Sequence, residues 1–173
     1  MRGWLALALI LPLVAAAQTP GFGEGRGERS RKGEAQVSPP PYPKPENYLP
    51  FQVNTAVSFE FFVDAKSISV SADGVIRYTV IAKSSAGALN ISFEGMRCAE
   101  RTFRVYAFGR TGNTWLEVRN SRWEPILGEA RSAQRAVLYR DFFCPMTGNI
   151  VTAEQGVRAL KDGGGARPAT MGY

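Results

Sequence analysis

The amino-acid sequence predicts an α+β domain: an antiparallel β-meander sheet covered by one or two C-terminal helices, with one disulfide. Three observations lead to this prediction. Short segments rich in branched and aromatic residues follow one another between turn signals in the middle of the chain. Apolar residues change to helical spacing after Ser132. Two cysteines, Cys98 and Cys144, stand far apart in the same region.

The first 17 residues have the three parts of a cleavable secretory signal. Met1 and Arg2 form a positive start, Trp4 to Val14 form an apolar stretch, and three alanines precede Gln18. The alternative is a membrane anchor, but the apolar run of roughly 14 residues is shorter than the ~20 that a spanning helix needs. We therefore expect a signal peptide at 1–17 cleaved near Ala17, a periplasmic location, and no integral membrane segment after cleavage.

Residues 18–46 have the composition of a disordered linker. The first half mixes glycine with charge and has too few large apolar side chains to form a core. The second half contains Pro39 to Pro45, which is typical of extended polyproline II. Such a segment is either a spacer, the interpretation we favour, or a ligand for an aromatic groove. We expect a single globular domain over 47–162 and a flexible, glycine-rich tail over 163–173.

The pattern becomes β-like from Tyr48 onward. Strands are predicted, in chain order, at Ser58 to Ala65, Ser67 to Val70, Val75 to Lys83, Leu89 to Cys98 and Thr102 to Gly109. The turn signals Asp73-Gly74 and Ser84 to Gly87 separate them. In the fourth segment apolar and polar residues alternate, which predicts a strand with one wet face that carries Asn90, Ser92 and Glu94.

The last third of the chain predicts two helices. Ser132 to Phe143 places Val137, Leu138 and Phe142 on one side, with Tyr139 at its margin and Arg135, Arg140 and Asp141 elsewhere, and Pro145 marks the end. A second, short helix is predicted from Thr152, which forms a capping box with Gln155. Val157 and Leu160 form its apolar stripe, and Gly156 weakens it.

The two cysteines favour a structural disulfide. In an oxidising compartment, two cysteines in a small domain usually pair. A reactive redox pair is the alternative, but such pairs lie close in sequence, as in C-x-x-C, whereas Cys98 and Cys144 are far apart.

Composition excludes several chemistries. The chain has no histidine, which removes Ser-His and Cys-His nucleophilic sites and imidazole zinc sites. We expect no metal, no cofactor and no catalytic residues. The net charge of +6, which becomes +5 once Arg2 leaves with the signal, is spread among acidic residues, so we expect no nucleic-acid partner.

Carboxylates are the remaining candidates for acid–base chemistry. Asp64, Asp73, Glu94 and Asp141 could in principle supply a pair, as in glycosidases. Their contexts favour turns, strand ends and ion pairs instead, with Glu94 facing Arg77, Arg97 or Arg104 across the sheet.

The polar strand faces and the tryptophans predict a candidate binding surface. Its members are Arg77, Asn90, Glu94, Arg97, Arg104, Trp115 and Trp123. Both tryptophans are expected in core or edge packing, and the alternative is that they line a groove.

Several segments together resemble the cryptic neisserial protein-like family of proteobacterial envelope proteins. They are Asp73 to Val80, Asn90 to Cys98, Tyr106 to Gly109, Trp115, Trp123 to Ile126 and Tyr139 to Pro145. The Glu-Gly-x-Arg-Cys and Phe-Cys-Pro segments are the most specific, and the likeness covers roughly residues 47–161. The resemblance implies an exported protein and brings no established catalytic residues. Family members are often lipoproteins, and this chain departs from that by having Gln18 where a lipid-acceptor cysteine would stand.

We therefore expect a non-enzymatic periplasmic domain that binds or assists another envelope component, either a protein or a glycan. The alternative is a carboxylate-dependent hydrolase that acts on an envelope glycan.

Overall fold

The computed structural model describes residues 37–53 and 59–164, without the side chains of residues 129–131. The predicted signal peptide, most of the predicted linker and the tail from residue 165 lie outside the described residues. Within the described ranges, no helix has the length and apolar character needed to cross a membrane.

The described residues form one antiparallel sheet of eight strands. They are Tyr48–Phe51 (β1), Phe59–Asp64 (β2), Ser69–Val70 (β3), Ile76–Ser84 (β4), Leu89–Arg97 (β5), Thr102–Arg110 (β6), Thr114–Glu117 (β7) and Glu124–Pro125 (β8). The spatial order is β1-β2-β4-β5-β6-β7, with β3 paired to β4 and β8 paired to β6. The predicted meander is therefore confirmed, and the two short strands after β6 are additions that the sequence patterns did not indicate.

Two C-terminal helices cover part of the sheet, as predicted. Helix α1 spans Gly128–Val137 and continues as a single π-helical stretch, Leu138–Phe143. The predicted start at Ser132 is four residues late, and Ser132 is instead an interior kink with φ −156° and ψ 54°. Val137, Leu138 and Phe142 are buried as the helical spacing predicts.

Helix α2 spans Ala153–Lys161 and begins at the predicted cap. The Thr152 hydroxyl accepts from the backbone N–H of Gln155 at 3.3 Å, while the Gln155 side chain accepts from Val151, one residue further back than a capping box requires. Gly156 is buried, and a Cβ there would lie 3.0 Å from side-chain atoms of both Ile68 and Ile150. The glycine that weakens this helix therefore also allows it to approach the core closely.

The sheet has two faces with different coverings. We call the face that carries Tyr78, Val80, Glu94, Met96 and Phe103 the helix face, because its residues pack into one core with α1 and α2. The opposite face, which carries Arg77, Phe93, Gly95, Arg104 and Trp115, is called the strap face, because residues 37–44 cross it as a segment that we call the strap.

The predicted disulfide joins the sheet to the helical layer. Cys98 follows β5 and Cys144 follows the π-helical stretch, and their Sγ atoms lie 2.02 Å apart with 5.5 Å between the Cα atoms. The bridge closes a loop of 46 residues, which in the chain-entropy description contributes roughly 4 kcal/mol.

Candidate functional site

The centre of the helix face holds a buried ion pair. Glu94, on β5, is 0% exposed, and Arg135, on α1, donates two hydrogen bonds to it: Nε to Oε2 at 2.8 Å and Nη2 to Oε1 at 2.7 Å. The expected wet-face position of Glu94 is therefore wrong, and so is the expected pairing with Arg77, Arg97 or Arg104. Alternation within β5 correctly placed Glu94 opposite Phe93, but α1 covers the face that was expected to meet water.

Two more donors complete the environment of Glu94. The Ser92 hydroxyl donates to Oε1 at 2.6 Å and the Tyr78 hydroxyl donates to Oε2 at 3.3 Å. An ionised carboxylate has about four lone-pair sites, and here four donors are directed at them. The four hydrogen bonds thus occupy the lone pairs with which Glu94 could take a proton from a substrate.

The electrostatics agree with this geometry. Burial by itself lowers the pKa of Arg135, but the hydrogen bonds and the charge of Glu94 outweigh it and raise the pKa above its ordinary value. Burial, reinforced by the charge of Glu94, raises the pKa of Tyr78 well above its ordinary value, so its hydroxyl stays a neutral donor. The Tyr78 hydroxyl and the Arg135 guanidinium therefore each keep one charge state at physiological pH.

Beside this cluster, a cleft of about 320 Å³ opens between the helix face and α1. Its apolar lining includes Phe61, Val80, Ala82, Leu89, Ile91 and Phe108, and its polar lining consists of Asn90, Ser92, Gln134 and Arg135. Arg135 is 17% exposed, and its third nitrogen, Nη1, makes no hydrogen bond to the described residues. No Asp or Glu is among the described residues that line the cleft.

The other candidate carboxylates are engaged locally. Asp73 pairs with Arg77 at 2.9 Å, Asp141 pairs with the adjacent Arg140 at 2.7 Å, and Asp64 accepts from the backbone N–H of Lys66 at 3.3 Å. Among the residues that the structure describes, no group of three or more potential ligands is arranged to hold a metal ion.

The strap face carries most of the predicted binding surface. Arg77, Gly95 and Arg104 stand in one row across β4, β5 and β6, and the Tyr106 ring lies over Gly95 between the two guanidinium groups, 5.8 and 5.4 Å from its centroid. A Cβ at Gly95 would lie 2.5 Å from the Tyr106 hydroxyl, so only glycine leaves room for this ring.

The remaining members of the predicted surface divide between the two faces. Arg97 stacks on Trp123, with 4.2 Å between the guanidinium carbon and the ring centroid. Trp115 contacts Phe93 at 6.3 Å between centroids, on the strap face. Asn90 belongs to the cleft on the opposite face. Geometry thus separates the seven residues into a cleft member (Asn90), a buried ion-pair member (Glu94) and a strap-face group.

The helical spacing placed Arg135 away from the apolar side of its helix and did not predict its role. The one available signal was the arginine itself, directly before the apolar run Ala136 to Leu138. Gln134 was missed for a similar reason, because helical spacing alone does not show which part of a sheet a helix will cover.

Comparisons with known proteins identify a family for this chain but find no matching solved structure. The CNP1-like family matches residues 28–161 of this chain. Cryptic neisserial protein 1 of Neisseria gonorrhoeae (strain ATCC 700825 / FA 1090) is 32% identical over 126 residues, which are 65% of this chain and 61% of that protein. The chain thus spans less than two thirds of the length of the curated relative that it matches. No solved structure matches it.

Proposed function

This chain belongs to the CNP1-like family, and we propose that it is an exported, non-catalytic binding domain whose cleft beside Arg135 takes a hydroxyl-rich component of the cell envelope, such as a glycan fragment. Export rests on the three-part signal at residues 1–17. The disulfide supports it, since such bridges persist in oxidising compartments.

The observation that carries the proposal is the lining of the cleft. Binding sites for small ligands are mostly apolar concavities of ≈ 300–1,000 Å³ with a few polar groups that fix orientation. Here the amides of Asn90 and Gln134 offer neutral donors and acceptors, and the Ser92 hydroxyl, whose proton is donated to Glu94, offers an acceptor. Such groups suit sugar hydroxyls. Phe61 and Phe108 offer ring surfaces for the apolar parts of a sugar.

The Glu94–Arg135 pair favours binding over catalysis. Glycoside hydrolysis needs two carboxyl groups, one of them free to give or take a proton. Glu94, which bonds to the lining residues Ser92 and Arg135, accepts from four donors, and the lining itself contains no carboxylate among the described residues. The pair instead fixes the position of Arg135 on the cleft wall.

A titration with purified muropeptides, the soluble fragments of peptidoglycan, tests the proposal. Isothermal calorimetry should detect binding by the wild-type chain, and Ala82→Phe, which places a ring in the cleft, should weaken it at least tenfold. Lys83→Phe is the matched control, because it adds the same ring one residue away on the other face. Equal binding by both variants would contradict the assignment of the cleft.

The same mixtures, analysed by chromatography after prolonged incubation, test the hydrolase alternative. We expect the muropeptides to be unchanged. New cleavage products that disappear in a Glu94→Gln variant with wild-type stability would establish a carboxylate hydrolase instead.

A further inference from the structure

A second surface, separate from the cleft, is built on the strap face. Phe93, Tyr106 and Ala107 form a small buried cluster with Trp115 and Val37 against it, 5.4 Å between the Phe93 and Tyr106 centroids. This cluster makes the floor of a shallow aromatic groove, which we call the Trp115 groove. The strap occupies it.

The contacts between the strap and the groove use the backbone of a proline-rich segment. The indole Nε1 of Trp115 donates to the carbonyl of Pro40 at 2.9 Å, and the Tyr42 ring lies 5.2 Å from the Trp115 ring. The Tyr42 hydroxyl reaches the carbonyl of Arg110 at 3.4 Å, and Pro43 is buried. Polyproline II leaves its carbonyls without internal partners, so an aromatic groove with an indole donor is the kind of surface that recognises it.

A glycine makes room for this arrangement. A Cβ at Gly109 would lie 2.7 Å from the Tyr42 hydroxyl and 2.8 Å from the Cβ of Ile91. The groove therefore depends on a residue without a side chain where the strap crosses β6. The family match begins at residue 28 and so includes the strap.

We propose that the Trp115 groove is a recognition site for polyproline II, that the strap fills it as an intramolecular ligand, and that a proline-rich segment of another exported protein competes for it. The recognition uses a backbone carbonyl and ring surfaces, which many proline-rich sequences can supply. Two side-chain hydrogen bonds join the strap to the other described residues, and a competing proline-rich segment can supply equivalents of both.

A second copy of the chain is a weaker candidate for the occupant than a different protein. Each copy holds its own strap next to its own groove, at an effective concentration of the order of millimolar. Exchange between two copies would replace these contacts by identical ones and gain no contact free energy. A partner with a longer proline-rich segment can gain new contacts beyond the strap.

The experiment measures binding in trans by the full exported chain. A labelled peptide with the sequence of residues 37–45 is titrated, with fluorescence anisotropy as the readout, into wild type and into Tyr42→Ala, which weakens the strap. With ~1 mM effective strap concentration and a peptide dissociation constant near 100 µM, the wild type should bind about tenfold more weakly than Tyr42→Ala. The same peptide with its prolines replaced by alanine should bind neither.

A double substitution shows whether the groove is responsible. Tyr42→Ala with Trp115→Phe keeps an aromatic ring but removes the indole donor, and it should lose most of the affinity. In folded Tyr42→Ala, whose groove is left partly open, the Trp115 indole signal in a nitrogen–proton NMR spectrum should move toward its wild-type position as the peptide is added.

Three results would overturn the proposal: no peptide binding by a folded Tyr42→Ala together with an unmoved indole signal, equal binding by the alanine peptide, or unchanged affinity in the double variant. A stable wild-type dimer whose strap lies in its partner's groove would also overturn the choice of a different protein as occupant. None of these readouts involves the cleft, so their outcome neither supports nor contradicts the proposal that the cleft binds muropeptides.

Discussion

The helix face and the strap face of the sheet each hold an arginine ion pair, but the two pairs differ in the sequence separation of their partners. Glu94 is fully buried, and its partner Arg135 comes from a helix 41 residues later in the chain. Arg77 is 5% exposed, and its partner Asp73 lies only four residues earlier. The long-range pair therefore fixes how α1 sits on the sheet, whereas the local pair fixes a turn.

The two faces of the sheet therefore have different roles. On the helix face the charges are matched internally, and the guanidinium is positioned at the cleft. On the strap face the cationic side chains lie beside aromatic rings, and a short segment with few polar contacts completes the surface. We expect contacts on the helix face to contribute most of the free energy of unfolding. On the strap face we expect another segment to be able to replace the strap.

The largest effect is expected from Arg135→Met. It leaves the Glu94 carboxylate buried without its cation, which typically costs ~3–5 kcal/mol. Urea unfolding measures the loss, and Glu94→Gln with Arg135→Met should recover about half of it, because the buried charge is then absent. Arg97→Met is the control, since Arg97 is a part-exposed partner of Glu100 and should cost less than ~1 kcal/mol. A similar loss in both single variants would remove the distinction between the faces.

Loss of the disulfide should affect the helix face more than the strap face. Replacing Cys98 and Cys144 by alanine should reduce the free energy of unfolding by about 2–4 kcal/mol. Because the bridge ties β5 to the end of the π-helical stretch, the Trp115 indole signal should stay in place in the folded variant. A displaced indole signal would show that the strap face depends on the helical layer.

A smaller loss is expected from Gly95→Ala on the strap face. The added Cβ would lie 2.5 Å from the Tyr106 hydroxyl, and overpacking of this kind typically costs ~1–3 kcal/mol. The same substitution in a Tyr106→Ala background should cost clearly less, as a double-mutant cycle would show. Equal costs in both backgrounds would mean that the ring does not select glycine at this position.

The smallest effect is expected from Asp73→Asn. Burial tends to raise the pKa of Asp73, but the hydrogen bonds from Arg77 and Val75 and the charge of Arg77 lower it overall. A carboxyl whose pKa is lowered on folding stabilises the fold above its unfolded pKa of about 3.8 and loses this contribution as the pH falls through the folded value. The variant should be about 1 kcal/mol less stable than wild type at pH 7, and the gap should close near pH 2. A gap that persists at pH 2 would contradict the ion-pair account.

Much of the fold follows from local sequence signals. The spacing of branched and aromatic residues placed β4, β5 and β6 within a residue or two of their ends, because each strand packs at least one face against a neighbour. Thr152 marked the start of α2 through its own capping hydrogen bond. The pairing of Cys98 with Cys144 followed from their number and from the predicted compartment.

The candidate site needed information that local patterns do not carry. Alternation in β5 showed that Glu94 and Phe93 face opposite ways, but not that α1 covers the Glu94 side. A bulge in β6 places both Tyr106 and Ala107 on the strap face, which breaks the two-residue period there. The strap had the composition of a spacer, and its packing depends on Trp115, 75 residues away from Pro40.

The most direct test of the account is a muropeptide titration followed residue by residue in nitrogen–proton NMR spectra. We predict that the shifted amide signals cluster at Asn90, Ser92, Phe108 and Gln134, while the muropeptide signals themselves remain those of the intact compound. Shifts confined to the strap face, no shifts at millimolar muropeptide, or the growth of product signals would contradict the central claim that the cleft beside Arg135 binds an envelope glycan without cleaving it.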